Sequence, residues 1–191
     1  LLIAFTGPMT NFVTDAYSGA TPLAVLKPGA EPAEATSLLT LFIGKHAGVI
    51  GETSIICLLI GAVYLLVRKV ISWRIPVTYI ATFAVLIFLF APGHQFDAQY
   101  LLKEVCAGGL VLGAFFMATD YVTSPITPMG KIVFGMVLGL LTFIFRMYGG
   151  SAEGVSYAII FSNLLVPLIE RVTVPKSFGK QKPVKEKKEA K

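Results

Sequence analysis

Five apolar runs follow one another along the chain, spanning residues 48–67, 75–91, 102–119, 131–147 and 155–171. A bilayer core roughly 30 Å thick takes about 20 helical residues, or about 17 to 25 with tilt, so each run suits one crossing. Stretches such as Phe83-Ala-Val-Leu-Ile-Phe-Leu-Phe90 do not alternate, whereas the strands of a membrane barrel show segments of about ten alternating residues. Composition agrees: 55% of the residues are hydrophobic and 14% are charged, against about 25% charged in soluble domains. The expected fold is therefore an all-α integral membrane protein with five transmembrane helices.

Turn-forming residues fall between the runs: Ala91-Pro92-Gly93, Ser124-Pro125 with Thr127-Pro128, and Gly149-Gly150. Leu38 to Lys45 is apolar but too short to cross, and reads as a shallow or re-entrant helix leading into the first span. The chain opens Leu-Leu-Ile-Ala-Phe without a basic n-region or a cleavage site, so it reads as the tail of a preceding helix rather than as a signal peptide. Three parts result: an extracytoplasmic segment, 1–47; a five-helix domain, 48–171; and a basic tail, 172–191, low in apolar residues and expected to be disordered.

Basic residues assign the sides. Arg68, Lys69, Arg74, Lys131 and the lysine-rich stretch from Arg171 onward outnumber Lys27, Lys45, Lys103 and Arg146 on the opposite side. Positive residues concentrate on the cytoplasmic face, which places the C-terminus inside and residues 15–45 outside a plasma membrane. The tail reads as a solvated topology anchor, with anionic lipid headgroups as its alternative partner. Nucleic acid is a poor fit, since no folded basic surface with interleaved aromatics accompanies the lysines.

Few polar residues stand within the runs. Glu52 and Asp120 lie near span ends and are candidates for an ion path, because a carboxylate in hydrocarbon is costly unless it has a use. Structural hydrogen bonding is the competing reading for Glu52, and for Asp120 it is the capping of a turn with Thr119 and Thr123. Arg146 ends the fourth span, where it either snorkels to the interface or meets a phosphate. Lys27 is a second phosphate candidate. Glu104, Glu153 and Glu170 read as solvated. His46 and His94 stand alone, and Cys57 and Cys106 lack metal-site spacing, so no metal site is expected; both cysteines read as small core residues. Gly109 with Gly113, and Gly135 with Gly139, are G-x-x-x-G pairs suited to close helix packing.

The most specific signal precedes the first span: Asp15-Ala-Tyr-Ser18-Gly19-Ala20-Thr21. This resembles the D-x-x-[ST]-G-A-[ST] motif at which flavin transferases join FMN to a threonine through a phosphoester. Small residues leave the backbone accessible to a transferase, Gly19 gives conformational freedom, and Pro22 stiffens the chain just after Thr21. Further stretches carry a wider resemblance: S-G-A-T-P-L at 18–23, G-V-I-G-E-T-S at 48–54, A-T-D-Y-V-T-S-P at 118–125, F-R-M-Y-G-G at 145–150, E-G-V-S-Y-A at 153–158 and N-L-L-V-P-L-I-E at 163–170. Together they resemble the D subunit of the Rnf ion-translocating ferredoxin:NAD oxidoreductase complex. The B subunit of the sodium-translocating NADH:quinone reductase, a homologue, is second.

That resemblance implies a chain matching the second half of a ten-helix inverted-repeat fold, similar to ammonium and urea transporters. It implies covalent FMN on Thr21 and a noncovalent riboflavin whose residues this half does not place. The partners implied are the other Rnf subunits, a flavin transferase for maturation and the bilayer. The protein would relay electrons while the complex exports Na+ or H+, with no complete active site and no catalytic residue in this chain. The competing function is a channel or transporter subunit of the same fold without a redox role.

Overall fold

The computed structural model describes residues 12–14, 17–19, 23, 38–44, 53–93, 95–149 and 154–175. A short antiparallel hairpin comes first, β1 (Phe12–Thr14) on β2 (Tyr17–Gly19), paired Phe12 to Gly19, Val13 to Ser18 and Thr14 to Tyr17. All the longer elements are helices: α1 (Leu38–Ile43), α2 (Ile55–Val67), α3 (Arg74–Phe90), α4 (Ala98–Cys106), α5 (Leu110–Met117), α6 (Pro128–Tyr148) and α7 (Val155–Thr173). The all-α expectation thus holds for the bulk of the described residues and needs correction for this hairpin.

Among the described residues, α6 with 21 residues and α7 with 19 are long and apolar enough to cross a membrane. α2 and α3 are shorter apolar helices of 13 and 17 residues. The expected span 102–119 is not one straight helix: α4 and α5 meet at 66°. Gly108 makes the break, with a φ of +71° that a residue with a Cβ adopts only at a cost. α5 then continues from a regular turn into a π-helical turn, Gly113–Met117. A Cβ on Gly113 would collide with Val155 of α7. The pairing of Gly109 with Gly113 as one packing stripe is therefore corrected: Gly109 belongs to the break.

Local chemistry explains the helix ends. Asp97 caps α4, accepting from the N–H groups of Gln99 at 2.8 Å and Tyr100 at 3.3 Å. Thr127 caps α6, accepting from Gly130 N–H at 3.0 Å, with Pro128 in the first turn, where its missing N–H costs nothing. α3 stops at Ala91-Pro92-Gly93, where Gly93 has a φ of +79°.

The centre of the bundle is the contact between α3 and α6. Gly135 packs on Ile75 and Thr78, Gly139 on Tyr79, Thr82 and Phe83, and the Thr142 hydroxyl lies 2.6 Å from that of Tyr79. Numbers rise together on both helices, so α3 and α6 run parallel and the broken α4–α5 unit is the crossover between them. Tyr79, Phe83, Phe134 and Leu138 fill the interface without exposure. A Cβ on Gly139 would stand 2.7 Å from Thr82 Cβ and 2.9 Å from the Tyr79 carbonyl oxygen. Gly139→Val should therefore cost about 1–3 kcal/mol of stability through overpacking, despite valine's better helix propensity. Denaturant unfolding in detergent would register it, and an unchanged midpoint would show that the helices can separate without loss.

Two connections and the C-terminal end of α7 gather at one end. The Tyr121 hydroxyl donates to the Val70 carbonyl, Ile126 N–H donates to Glu170 Oε1 at 3.0 Å, and the hydroxyls of Thr127 and Thr173 are 2.8 Å apart. Arg68, Lys69, Arg74, Lys131 and Arg171 belong to the segments at this end, and Arg74 lies over the Trp73 ring. On the outside of α7, Ile160, Leu164, Leu168 and Val172 form an exposed apolar stripe at helical spacing, which suits hydrocarbon rather than water.

Candidate functional site: the motif segment and a buried ion pair

The motif segment is described on either side of Thr21. Ser18 and Gly19 lie in β2, and Leu23 is buried with 4% exposure. Asp15, Ala20, Thr21, Lys27 and Glu52 lie outside the described residues, as do His46, His94 and Glu153. The second strand thus ends two residues before Thr21, and the buried Leu23 comes two residues after it.

A charged centre lies at the break between α4 and α5. Arg146 and Glu104 are 2% and 1% exposed. Arg146 Nη1 donates to Glu104 Oε2 at 3.1 Å and to the Glu104 carbonyl at 2.6 Å, and Nη2 donates to the Ala107 carbonyl at 3.1 Å. These carbonyls belong to the end of α4, where a helix leaves acceptors without intrahelical donors. The guanidinium replaces those donors and places positive charge at the negative end of the helix dipole. Its carbon lies 5.2 Å from the Phe83 ring centroid, within cation–π range. Tyr100, one turn before Glu104, is hydrogen-bonded to the carboxylate.

Arg146 therefore does not snorkel. It holds the broken crossover to the centre of the bundle, and the pair is neutral as a unit, as burial in an apolar setting requires. Glu104, expected to be solvated, is corrected to a buried partner. Sequence reasoning missed it because the pair is 42 residues apart. Tyr100 and Glu104 at i and i+4, one turn apart on the same face of α4, were the available signal.

The other polar residues are more ordinary. Asp120 is exposed and accepts from the Thr123 hydroxyl at 3.2 Å, the turn-capping arrangement anticipated for it. Thr119 donates instead to the Phe115 carbonyl. Glu170 accepts from a backbone N–H in the neighbouring connection. Cys106 is buried with Leu41 and Ile55, but Cys57 is exposed, against expectation. Among the described residues no group of His, Cys, Asp or Glu could hold a metal ion.

Apolar helices with an outward hydrocarbon-compatible face, a broken crossover and a neutralised internal charge define a helical membrane protein. The chain belongs to the NQR2, RnfD, RnfE family, whose model matches residues 1–179. It is 44% identical over 98% of its length to the D subunit of the Na+-translocating ferredoxin:NAD+ oxidoreductase complex of Acetobacterium woodii, covering 58% of that protein. It is 41% identical over 86% of its length to the D subunit of the proton-translocating ferredoxin:NAD+ oxidoreductase complex of Clostridium ljungdahlii, covering 52%. With the D subunit of the ion-translocating oxidoreductase complex of Stutzerimonas stutzeri the identity is 38%, over 94% of this chain and 52% of the relative. The chain thus spans between half and three fifths of the length of these relatives.

Proposed function

We propose that this chain is part of the membrane redox subunit of an ion-translocating ferredoxin:NAD oxidoreductase complex, carrying FMN on Thr21 through a phosphoester. The observation that carries the reading is the Asp15-Ala-Tyr-Ser-Gly-Ala-Thr21 motif in a chain 44% identical to the D subunit of one such complex. The residues at hand suit a tether. Thr21 supplies a hydroxyl oxygen, Ser18-Gly19-Ala20 are small enough for a transferase to close around, and the hairpin and buried Leu23 hold both flanks. Bound there, the flavin would take up and pass on electrons. The polypeptide's part is to hold it at one place and, in an outward-facing position, to keep it from being lost.

The remaining expectations belong to the same reading. α2, α3, the α4–α5 pair, α6 and α7 make five membrane segments, one half of a ten-helix inverted repeat. The end carrying Arg68, Lys69, Arg74, Lys131 and Arg171 faces the cytoplasm and the motif faces outward. The other subunits of the complex and a flavin transferase are the protein partners; riboflavin is a second flavin of the full-length protein. Lys27 is the cation nearest Thr21 in sequence toward the C-terminus and a candidate for its phosphate, and Glu52 is an ion-path candidate. Peptide mass spectrometry of the full-length protein, made with the transferase, should find the added mass of FMN on the peptide containing Thr21. Finding that mass on another peptide, or no flavin peptide from protein made with an active transferase, would count against the assignment.

A further inference from the structure

We propose that Ser162 and Asn163 in α7 form a coordination point for a sodium ion in transit, an inference that rests on the reading of the chain as part of an ion-translocating complex. Ser162 is 0% exposed and its Oγ has no hydrogen-bond partner among the described residues; Asn163 Oδ1 is buried and equally without one. Pro167 stands four residues after Asn163, inside the helix. Lacking an N–H, it withholds the donor that the Asn163 carbonyl would receive in a regular turn. Two consecutive residues therefore contribute three oxygens, near the middle of the nineteen-residue α7.

Unpaired polar atoms are expensive in an apolar interior and rarer still in hydrocarbon, so a group of them at mid-helix calls for an occupant. The oxygens select its chemistry. A serine hydroxyl, an amide carbonyl and a backbone carbonyl are uncharged hard donors, the set with which interrupted membrane helices hold Na+. An uncharged set also binds weakly enough to release its ion, which transport requires. The carboxylate on the same helix, Glu170, lies about two turns further on and accepts from Ile126 N–H.

The test uses the full-length complex in liposomes, with ferredoxin-dependent NAD+ reduction and 22Na+ transport followed against sodium concentration. Asn163→Leu should weaken the apparent sodium affinity about tenfold, the scale of one good polar ligand, while the rate at saturating sodium is retained. Ser162→Ala should shift it in the same direction by less, and it carries the test if the leucine variant does not assemble. Unchanged sodium dependence in the variants, or a wild type indifferent to sodium, would overturn the site. A rate lowered equally at every sodium concentration would also overturn it, assigning these oxygens to a donor from another polypeptide. A complex that keeps full sodium-coupled turnover without this protein would instead remove the functional reading on which the site depends.

Discussion

Arg146→Leu should cost the folded protein about 3–5 kcal/mol, the scale for removing one partner of a buried ion pair. The variant strands the Glu104 carboxylate and the carbonyls of Glu104 and Ala107 at the end of α4, all of which Arg146 serves. It also removes the cation packed on Phe83. Glu104→Gln should cost less, because the amide oxygen still accepts from Arg146 and the main-chain bonds survive. Replacing both residues by apolar ones of similar volume, Arg146→Met with Glu104→Leu, should recover much of the loss, since no charge is then left buried. Thermal unfolding of the full-length protein in detergent would rank the variants. An Arg146→Leu protein as stable as wild type would mean that the α4–α5 break is held by something other than this pair.

Thr21→Val should bring electron transfer through the assembled complex down to the level of a complex with no flavin at that position. Valine keeps the branched shape and removes only the oxygen that the proposed phosphoester would use, so folding and assembly should be untouched. Thr21→Ser restores a hydroxyl and should return part of the flavin and part of the turnover. The comparison is made by ferredoxin-dependent NAD+ reduction alongside the stoichiometry of the assembled polypeptides. Full turnover from a correctly assembled Thr21→Val complex would show that no essential electron passes through a flavin there.

How far the sequence predicted the structure varies by element. The runs 75–91, 131–147 and 155–171 correspond to α3 (Arg74–Phe90), α6 (Pro128–Tyr148) and α7 (Val155–Thr173) to within a few residues, because length and apolarity decide a membrane helix and Pro and Gly punctuate its ends. The packing role of Gly135 and Gly139 was also legible, since small residues four apart suit close approach and little else. The break at Gly108 was not. An apolar run looks the same whether its helix is straight or bent by 66°, and the left-handed φ that makes the bend is a property of the backbone. Glu104 was misread for a related reason: proximity to a span end suggests solvent, and only the fold brings Arg146 over the end of α4. The parallel course of α3 and α6 follows from the crossover and had no local signature. At the start of the motif, the pairing of residues 12–14 with 17–19 was not foreseen, because strands of three residues are too short for alternation to register.

The most direct test of the central claim is in-gel flavin fluorescence of the denatured full-length protein, made with an active flavin transferase, wild type beside Thr21→Val. Denaturation strips noncovalent flavin, so the signal reports the phosphoester alone. A fluorescent wild-type band and a dark Thr21→Val band are the result expected of a flavin tethered at Thr21. A dark wild-type band, with the transferase active on another target, or equal fluorescence in both, would contradict it.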